Sequence, residues 1–318
     1  NDFGQSGDTL VYMAIRAPMM VEPEAATDVF AIDNTSTTNP GYVTPSWAVD
    51  MAIRLYTQGS NSGYPMIVNR LMQNIKMQTS NINAEQSNEQ EVKFDYANGW
   101  WTGSGSSALP SLMWKRAKGF FDVVAYTGTG SNRTVPHSLG VVPEMIWVKS
   151  RNNAKSWAVY HPSSHAAGNT IFLDNNHAGA GVGSFQSTAA SATTFNVDTA
   201  QYTNESGWKY IAYLFATLDG ISKVGSYTGT GSDINVDCGF SAGARFVLIK
   251  RIGATGDWYV YDTLRGIVAG ADPFLKLNTT DAQDAGNDGI DPLSSGFIVT
   301  SSSGNNTSGG TYIFYAIA

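Results

Sequence analysis

The chain has 318 residues, enough for about two to three domains that each bury a core, and only 14% of them are charged, against roughly a quarter in ordinary soluble domains. A net charge of −7 argues against a phosphate-backbone partner, because nucleic-acid binders concentrate Lys and Arg. No apolar run reaches the ~20 residues a membrane helix needs, so neither nucleic acid nor membrane insertion is expected, and the lone Cys238 leaves no intrachain disulfide to staple a secreted module.

The chain opens Asn1-Asp2-Phe3 without a signal-peptide pattern, which points to a piece of something longer. Asp8-Thr-Leu-Val-Tyr-Met-Ala-Ile15 matches Gly310-Thr-Tyr-Ile-Phe-Tyr-Ala-Ile317. Residues 1–22 therefore read as the orphan closing strand of a truncated upstream repeat plus a linker carrying Pro18. Such a strand must join a sheet here or pair with a neighbouring chain. Residues 23–119 read as a diverged β-sandwich repeat. In it Ala48-Val-Asp-Met-Ala-Ile-Arg54 takes the place of Phe246-Val-Leu-Ile-Lys250, Ile75-Lys-Met resembles Leu275-Lys-Leu, and Ser111-Leu-Met-Trp-Lys-Arg116 is the closing strand. The stretch beginning Met66-Ile-Val fits either a helix or an interrupted strand.

Residues 120–220 and 221–318 then repeat each other. Phe121-Asp-Val-Val-Ala-Tyr126-Thr-Gly128-Thr-Gly130 returns as Ser222-Lys-Val-Gly-Ser-Tyr227-Thr-Gly229-Thr-Gly231, a period of about 100 residues. Each copy continues with an apolar strand ending in lysine (Lys149, Lys250), a Trp-x-Val-Tyr strand (Trp157, Trp258) and an aromatic closing strand. Val/Ile/Tyr/Phe at period two between Gly/Asn/Ser/Asp clusters marks β-strands. The expectation is an all-β chain of tandem β-sandwich domains, each with its own core.

No pattern of residues announces a catalytic site. The four histidines all lie in the second repeat, and His161, His165 and His177 would make a zinc set only if their loops met; Asp262 replaces His161 in the third repeat. Asp281, Asp284, Asn287, Asp288 and Asp291 supply oxygen donors suited to Ca²⁺, but also suit ordinary turns. The carboxylates Glu144 with Asp174, or Asp257 with Asp262, are not shared between repeats, Ala244 standing opposite Glu144. No Gly-x-Ser-x-Gly elbow follows a strand. Five Asn-x-Ser/Thr sequons, at Asn34, Asn132, Asn204, Asn278 and Asn305, are what an Asn/Ser/Thr-rich composition produces. No metal, cofactor or enzymatic activity is expected.

Aromatics carry the binding signal, since exposed Trp and Tyr faces stack on sugar rings. Trp157 and Trp258, at equivalent places, are expected in the core. Trp100 and Trp101 are neighbours whose side chains point to opposite faces of a strand. Trp100 and Trp101 with Trp47 and Tyr64 form the candidate glycan or partner contact.

The Tyr-Thr-Gly-Thr-Gly opening, Pro136-His-Ser-Leu-Gly-Val-Val-Pro-Glu-Met-Ile146, the Trp-x-Val-Tyr strand and the Ser308-Gly-Gly-Thr-Tyr-Ile313 closing strand together resemble an uncharacterised repeat domain. That domain occurs in tandem at the C-terminal ends of bacteriophage virion proteins, often tail-fibre-like. The similarity is strong from Gly119 onward. It implies a virion structural protein at the particle surface, with copies of itself and other virion proteins as partners, and attachment to host-surface glycan. Homo-oligomerisation is expected, a trimer if the protein is a fibre. A bacterial surface or filament protein with carbohydrate-binding repeats, and a capsule depolymerase, are the alternatives.

Overall fold

The computed structural model describes residues 20–34, 40–57, 63–87, 92–102, 109–165, 169–186 and 190–318; the orphan strand expected at residues 8–15 lies outside them. The protein is all-β. Among the described residues the helical elements are one 3-10 turn, Ala26–Asp28, and one short helix, Pro162–His165. Every strand pairing is antiparallel.

One sheet plan occurs three times. An opening strand (Phe30–Asp33, Phe121–Thr127, Ser222–Thr228) pairs with the closing strand (Ser111–Trp114, Lys209–Phe215, Thr311–Ile317). The closing strand pairs with a central strand (Met51–Arg54, Met145–Ser150, Phe246–Ile252). A fourth strand (Met66–Asn69, Ala158–Tyr160, Trp258–Asp262) and a fifth (Ile75–Gln78, Ile171–Phe172, Leu275–Lys276) complete it. The segment at Met66 is thus a strand, its residues buried on both faces. A small ribbon backs each sheet: Tyr42–Val43 with Gly99–Trp100, Arg133–Pro136 with Thr194–Val197, and Ile234–Asp237 with Gly296–Val299. The three units begin after the same tight turn, in which the amides of Val29, Phe120 and Ile221 donate to the carbonyls of Ala26, Ala117 and Leu218.

Register corrects two sequence alignments. Met77, not Ile75, occupies the place of Leu275, because Ile67 faces Met77 as Val260 faces Leu275. The two-residue slip keeps the same side chains inward, as a period of two requires. Arg245 rather than Ala244 stands where Glu144 stands: each donates its amide to the last residue of the closing strand, Ile317 and Phe215.

The central strands open with apolar runs, Met51–Ile53, Met145–Val148 and Phe246–Ile249, because both faces are covered. One face of each packs under its own ribbon: Ala52 in unit 1, Ile146 and Val148 in unit 2, Val247 and Ile249 in unit 3 belong to three separate outer clusters. The opposite face does not have a core of its own. Met51 and Ile53, Met145 and Trp147, Phe246 and Leu248 all enter one cluster that runs through the three units. Trp114 meets Phe246 edge-on at 5.6 Å, and Phe215 lies 5.0 Å from Tyr315, so aromatic packing crosses the unit boundaries. Each unit thus has a private outer core and shares the inner one with the other two.

Hydrogen bonds close the ring in one rotational sense. Trp157 Nε1 of unit 2 donates to Gln78 O of unit 1 at 2.9 Å, and Trp258 Nε1 of unit 3 donates to Phe172 O of unit 2 at 2.8 Å. Unit 1 has Pro65 where the tryptophan would be. There Thr79 Oγ1 donates across to Leu277 O of unit 3 at 2.7 Å, so all three seams are bonded. The units are arranged with pseudo-threefold symmetry around a common core. Trp157 and Trp258, expected to be buried, are fully so, and each also serves as a seam donor.

Candidate functional site

The Tyr-Thr-Gly-Thr-Gly motif, the strongest sequence signal, makes a structural clasp. Tyr126 stacks on Tyr210 and Tyr227 on Tyr312, with centroids 5.3 and 5.0 Å apart. Gly128 passes so close to the opposite loop that a Cβ there would lie 2.1 Å from Glu205 O, and one on Gly229 would lie 2.3 Å from Thr307 O. A buried asparagine ties the strands together: Asn306 Oδ1 accepts from the Thr230 amide at 2.9 Å while its Nδ2 donates to Ser232 O and Thr300 O. Asn204 does the same in unit 2 with Thr129, Ser131 and Asp198. Of the sequon asparagines, Asn204 is the clasp residue of unit 2, Asn305 is buried beside the clasp of unit 3 with its Nδ2 donating to the Tyr261 hydroxyl, and Asn278 Oδ1 accepts from the Trp258 amide.

The tryptophans expected at a contact surface are placed otherwise. Trp100 is fully buried, stacked between Tyr42 at 5.1 Å and Phe94 at 5.9 Å. It occupies the ribbon position held by Phe195 and Phe297 in the other units. Trp47 is 5% exposed and its Nε1 donates to Thr27 O. Neither offers a ring face to a ligand: with only a short ribbon, unit 1 fills its outer core with indoles. Trp101 and Tyr64 are half-buried, and Lys76 Nζ already lies 5.4 Å over the Tyr64 ring.

The candidate metal ligands do not converge. Among the described residues no group of three or more His, Cys, Asp or Glu side chains could hold a metal ion. His161 is buried, accepts from the Ser163 amide through Nδ1, and burial pulls its pKa down to about 4; His177 is exposed. In the aspartate loop Asp281 pairs with Lys276, Asp284 accepts from Gly286 and Asn287, and Asp291 accepts from Gly270. The carboxylates considered for hydrolysis are likewise engaged: Glu144 with the Thr217 amide, Asp174 with the Trp157 amide, Asp257 with Asn278 and Lys276, and Asp262 with Arg265.

What the structure does place together is a cleft of about 380 Å³ on unit 3, between the fourth and fifth strands and the loops at residues 281–289 and 303–305. Its walls are Tyr259, Tyr261 and Phe274, with Phe274 edge-on to Tyr259 at 5.2 Å and tilted against Tyr261 at 5.7 Å. Asp281, Asp284, Asn287 and Asn305 supply polar groups around it. Lys276 is its one cation among the described residues, held 3.0 Å from Asp257 and 3.2 Å from Asp281. Partial burial works against the ammonium, yet these hydrogen bonds carry its pKa above the usual lysine value. Burial raises the Tyr259 and Tyr261 hydroxyls, so both stay protonated donors around neutral pH.

Among its described residues unit 2 lacks the same lining, and three exchanges account for this. Tyr202 takes the place of Gly304 and packs on Phe172 at 5.1 Å, closing the space. Ala180 replaces Asp284 in the equivalent isolated bridge, and Ala158 replaces Tyr259 opposite the fifth strand. The sequence held traces of this site in Tyr259-x-Tyr261 and the Asp-rich loop, but the glycine that opens it becomes visible only after the units are superposed through Asn204 and Asn306.

No curated protein matches the chain. A family model described as a domain of unknown function, DUF7483, matches residues 71–318. The match begins within the fourth-to-fifth-strand turn of unit 1 and runs through units 2 and 3, so it includes the residues of all three seam hydrogen bonds and the whole cleft. With most of its length so matched, the chain belongs to the DUF7483 family.

Proposed function

We propose that the protein is a bacteriophage virion structural component, tail-fibre-like and exposed at the particle surface, that presents its three β-sandwich units for assembly and for attachment to host-surface glycan. It works by binding and not by turnover. The observation that carries the attachment reading is the unit 3 cleft, a concave aromatic-walled site with a few convergent polar groups, the general form of a small-ligand site. Its carboxylates are already engaged, Asp281 with the Lys276 ammonium, whose pKa stands above the usual lysine value, and Asp284 with the Gly286 amide and Asn287, an arrangement suited to holding a ligand. The virion reading is supported by the resemblance of the repeated motifs, and a rigid ring with a shared core suits a part that must hold its shape on a particle. A closed intrachain ring also fills the inner core without a partner copy, so self-association would use the outer surface, and repeated copies on one particle would raise avidity.

The test is adsorption. Antibody raised against the purified chain should label intact particles and block their attachment to host cells, and the purified chain should compete with them. Particles that carry no such antigen would overturn the virion reading. Competition lost after the host surface is stripped of polysaccharide is the expected result for glycan attachment.

A further inference from the structure

We infer that the unit 3 cleft binds an uncharged pyranose, a neutral hexose or N-acetylhexosamine terminus, and rejects uronic and sialic acids. This rests on the glycan-attachment reading and specifies its ligand class.

Shape comes first. At about 380 Å³ the cleft is at the small end of ligand pockets, which run from about 300 to 1,000 Å³; it fits the end of a saccharide and not a long segment of polymer. Its walls are ring faces and edges of Tyr259 and Phe274, and an apolar C–H face of a pyranose is the natural counterpart of such a wall. Hydroxyls around the sugar ring need donors and acceptors held in fixed places. Asp284 is fixed by the Gly286 amide and by Asn287 Nδ2, both at 2.9 Å. Asn305 is 2% exposed and lines the cleft; its Nδ2 donates to the Tyr261 hydroxyl at 3.3 Å. Its Oδ1 accepts no hydrogen bond among the described residues, which leaves an acceptor in a nearly buried side chain open to a ligand hydroxyl.

Charge then selects among sugars. Asp281 and Asp284 both line the cleft. Lys276, the cation that would attract an acidic sugar, is committed to Asp257 and Asp281. A carboxylate brought into this space meets like charge in a partly desolvated site, where repulsion is several times stronger than in water. A neutral ring meets acceptors that it can satisfy.

Gly304 provides a clean test. A Cβ there meets nothing within 4 Å, so Gly304→Tyr should fold and fill the cleft as Tyr202 fills the corresponding space in unit 2. Titration calorimetry and ligand-observed NMR on the full chain would use the methyl glycosides of glucose, galactose and mannose and N-acetylglucosamine, against glucuronic acid and N-acetylneuraminic acid. The expected result is binding of at least one neutral ring, with the acids at least ten-fold weaker. Gly304→Tyr should abolish that binding at an unchanged melting temperature, and Asp281→Asn with Asp284→Asn should narrow the discrimination at least five-fold. Equal binding of acids and neutral sugars, or preferred binding of an acid, overturns the ligand class. Neutral-sugar binding that survives Gly304→Tyr overturns the site and leaves glycan attachment standing elsewhere on the chain. No binding by any neutral sugar overturns the inference; if a broad glycan array is also silent, the attachment reading falls with it.

Discussion

Lys149 and Lys250 occupy equivalent places on the inner faces of their central strands, where unit 1 has Leu55. Both are fully buried, and their hydrogen-bond acceptors are backbone carbonyls: Ser150 and Asn153 for Lys149, Arg251 and His177 for Lys250. Burial lowers both pKa values to about 8, with Asp174 and Glu85 or Asp257 opposing it. An unfolded lysine keeps its proton to about pH 10.4. Between pH 8 and 10.4 the unfolded chain thus binds more protons than the fold, and stability rises with pH. Below pH 8 both forms are charged and the full cost of the buried ammonium is present, ~3 kcal/mol for each lysine. Tyr213 and Tyr315, whose hydroxyls burial pushes up, add the opposite slope above about pH 10, the unfolded tyrosine value. His161, lowered to about 4 by burial, removes stability as pH falls from 6.5 towards 4. The melting temperature measured across pH 7–11 should therefore stay level to 8, then rise and peak near 10. Lys149→Leu with Lys250→Leu, copying Leu55, should raise the neutral-pH value and erase the alkaline rise. A profile that the double variant leaves unchanged would remove the lysines from the account.

At the scale of elements, the clasp explains why the second and third repeats are recognisable and the first is not. Each clasp needs a glycine where two backbones meet, a tyrosine pair and an asparagine with both amide ends used. Few residue types satisfy those demands, so they stand out as Tyr-Thr-Gly-Thr-Gly. Unit 1 keeps the opening strand, Phe30–Asp33, without that motif, and its alignment was recoverable only from apolar strands, which accept any register that preserves the inward face. Ile75 thus matches Leu275 in sequence while Met77 takes its place in the sheet. It is also why Trp100 stands among the candidate contact residues in the sequence: without the clasp motif its match to the core position of Phe195 and Phe297 is not marked. The boundaries after residues 119 and 220 were legible because Gly119 and Gly220 adopt positive φ, 77° and 73°, in the recurring turn. Urea titration can weigh the clasp directly. Gly229→Ala should cost about 1–3 kcal/mol through its clash with Thr307 O. Asn306→Ala should cost about 1–3 kcal/mol through the stranded Thr230 amide, the Gly231 amide keeping the Asn306 carbonyl. Gly304→Ala, in open space, should stay within about 0.5 kcal/mol of the parent. Equal effects at Gly229 and Gly304 would mean that close approach is not what the motif serves.

The molecule as a whole differs from a string of domains in a way the sequence could not express. Runs such as Met145–Ser150, buried at every position, report that both faces of a strand are covered. They do not report whether the second cover is the unit's own ribbon or a neighbouring unit. Here it is the neighbours. Phe246, Leu248, Ile313 and Tyr315 in unit 3 pack into the cluster that also holds Trp114 of unit 1 and Phe215 of unit 2. A unit cut free would open this apolar face to water, losing roughly 25 cal/mol for each Å² newly exposed, together with its seam hydrogen bonds. Unfolding one unit in place would expose the inner faces of both others. The chain should therefore melt in one cooperative transition, with calorimetric and van't Hoff enthalpies in agreement. Residues 221–318 made alone should bind a hydrophobic dye and lack a sharp transition. Two or three resolved heat-capacity peaks, or a well-folded monomeric unit 3 that melts as the full chain does, would contradict the shared core. The seams give a second reading of the same quantity. Trp258→Phe removes one cross-unit hydrogen bond while retaining most of the ring. In a closed ring it should lower the single melting temperature of the entire chain, whereas in a string of separate domains it would shift one peak and leave the rest in place.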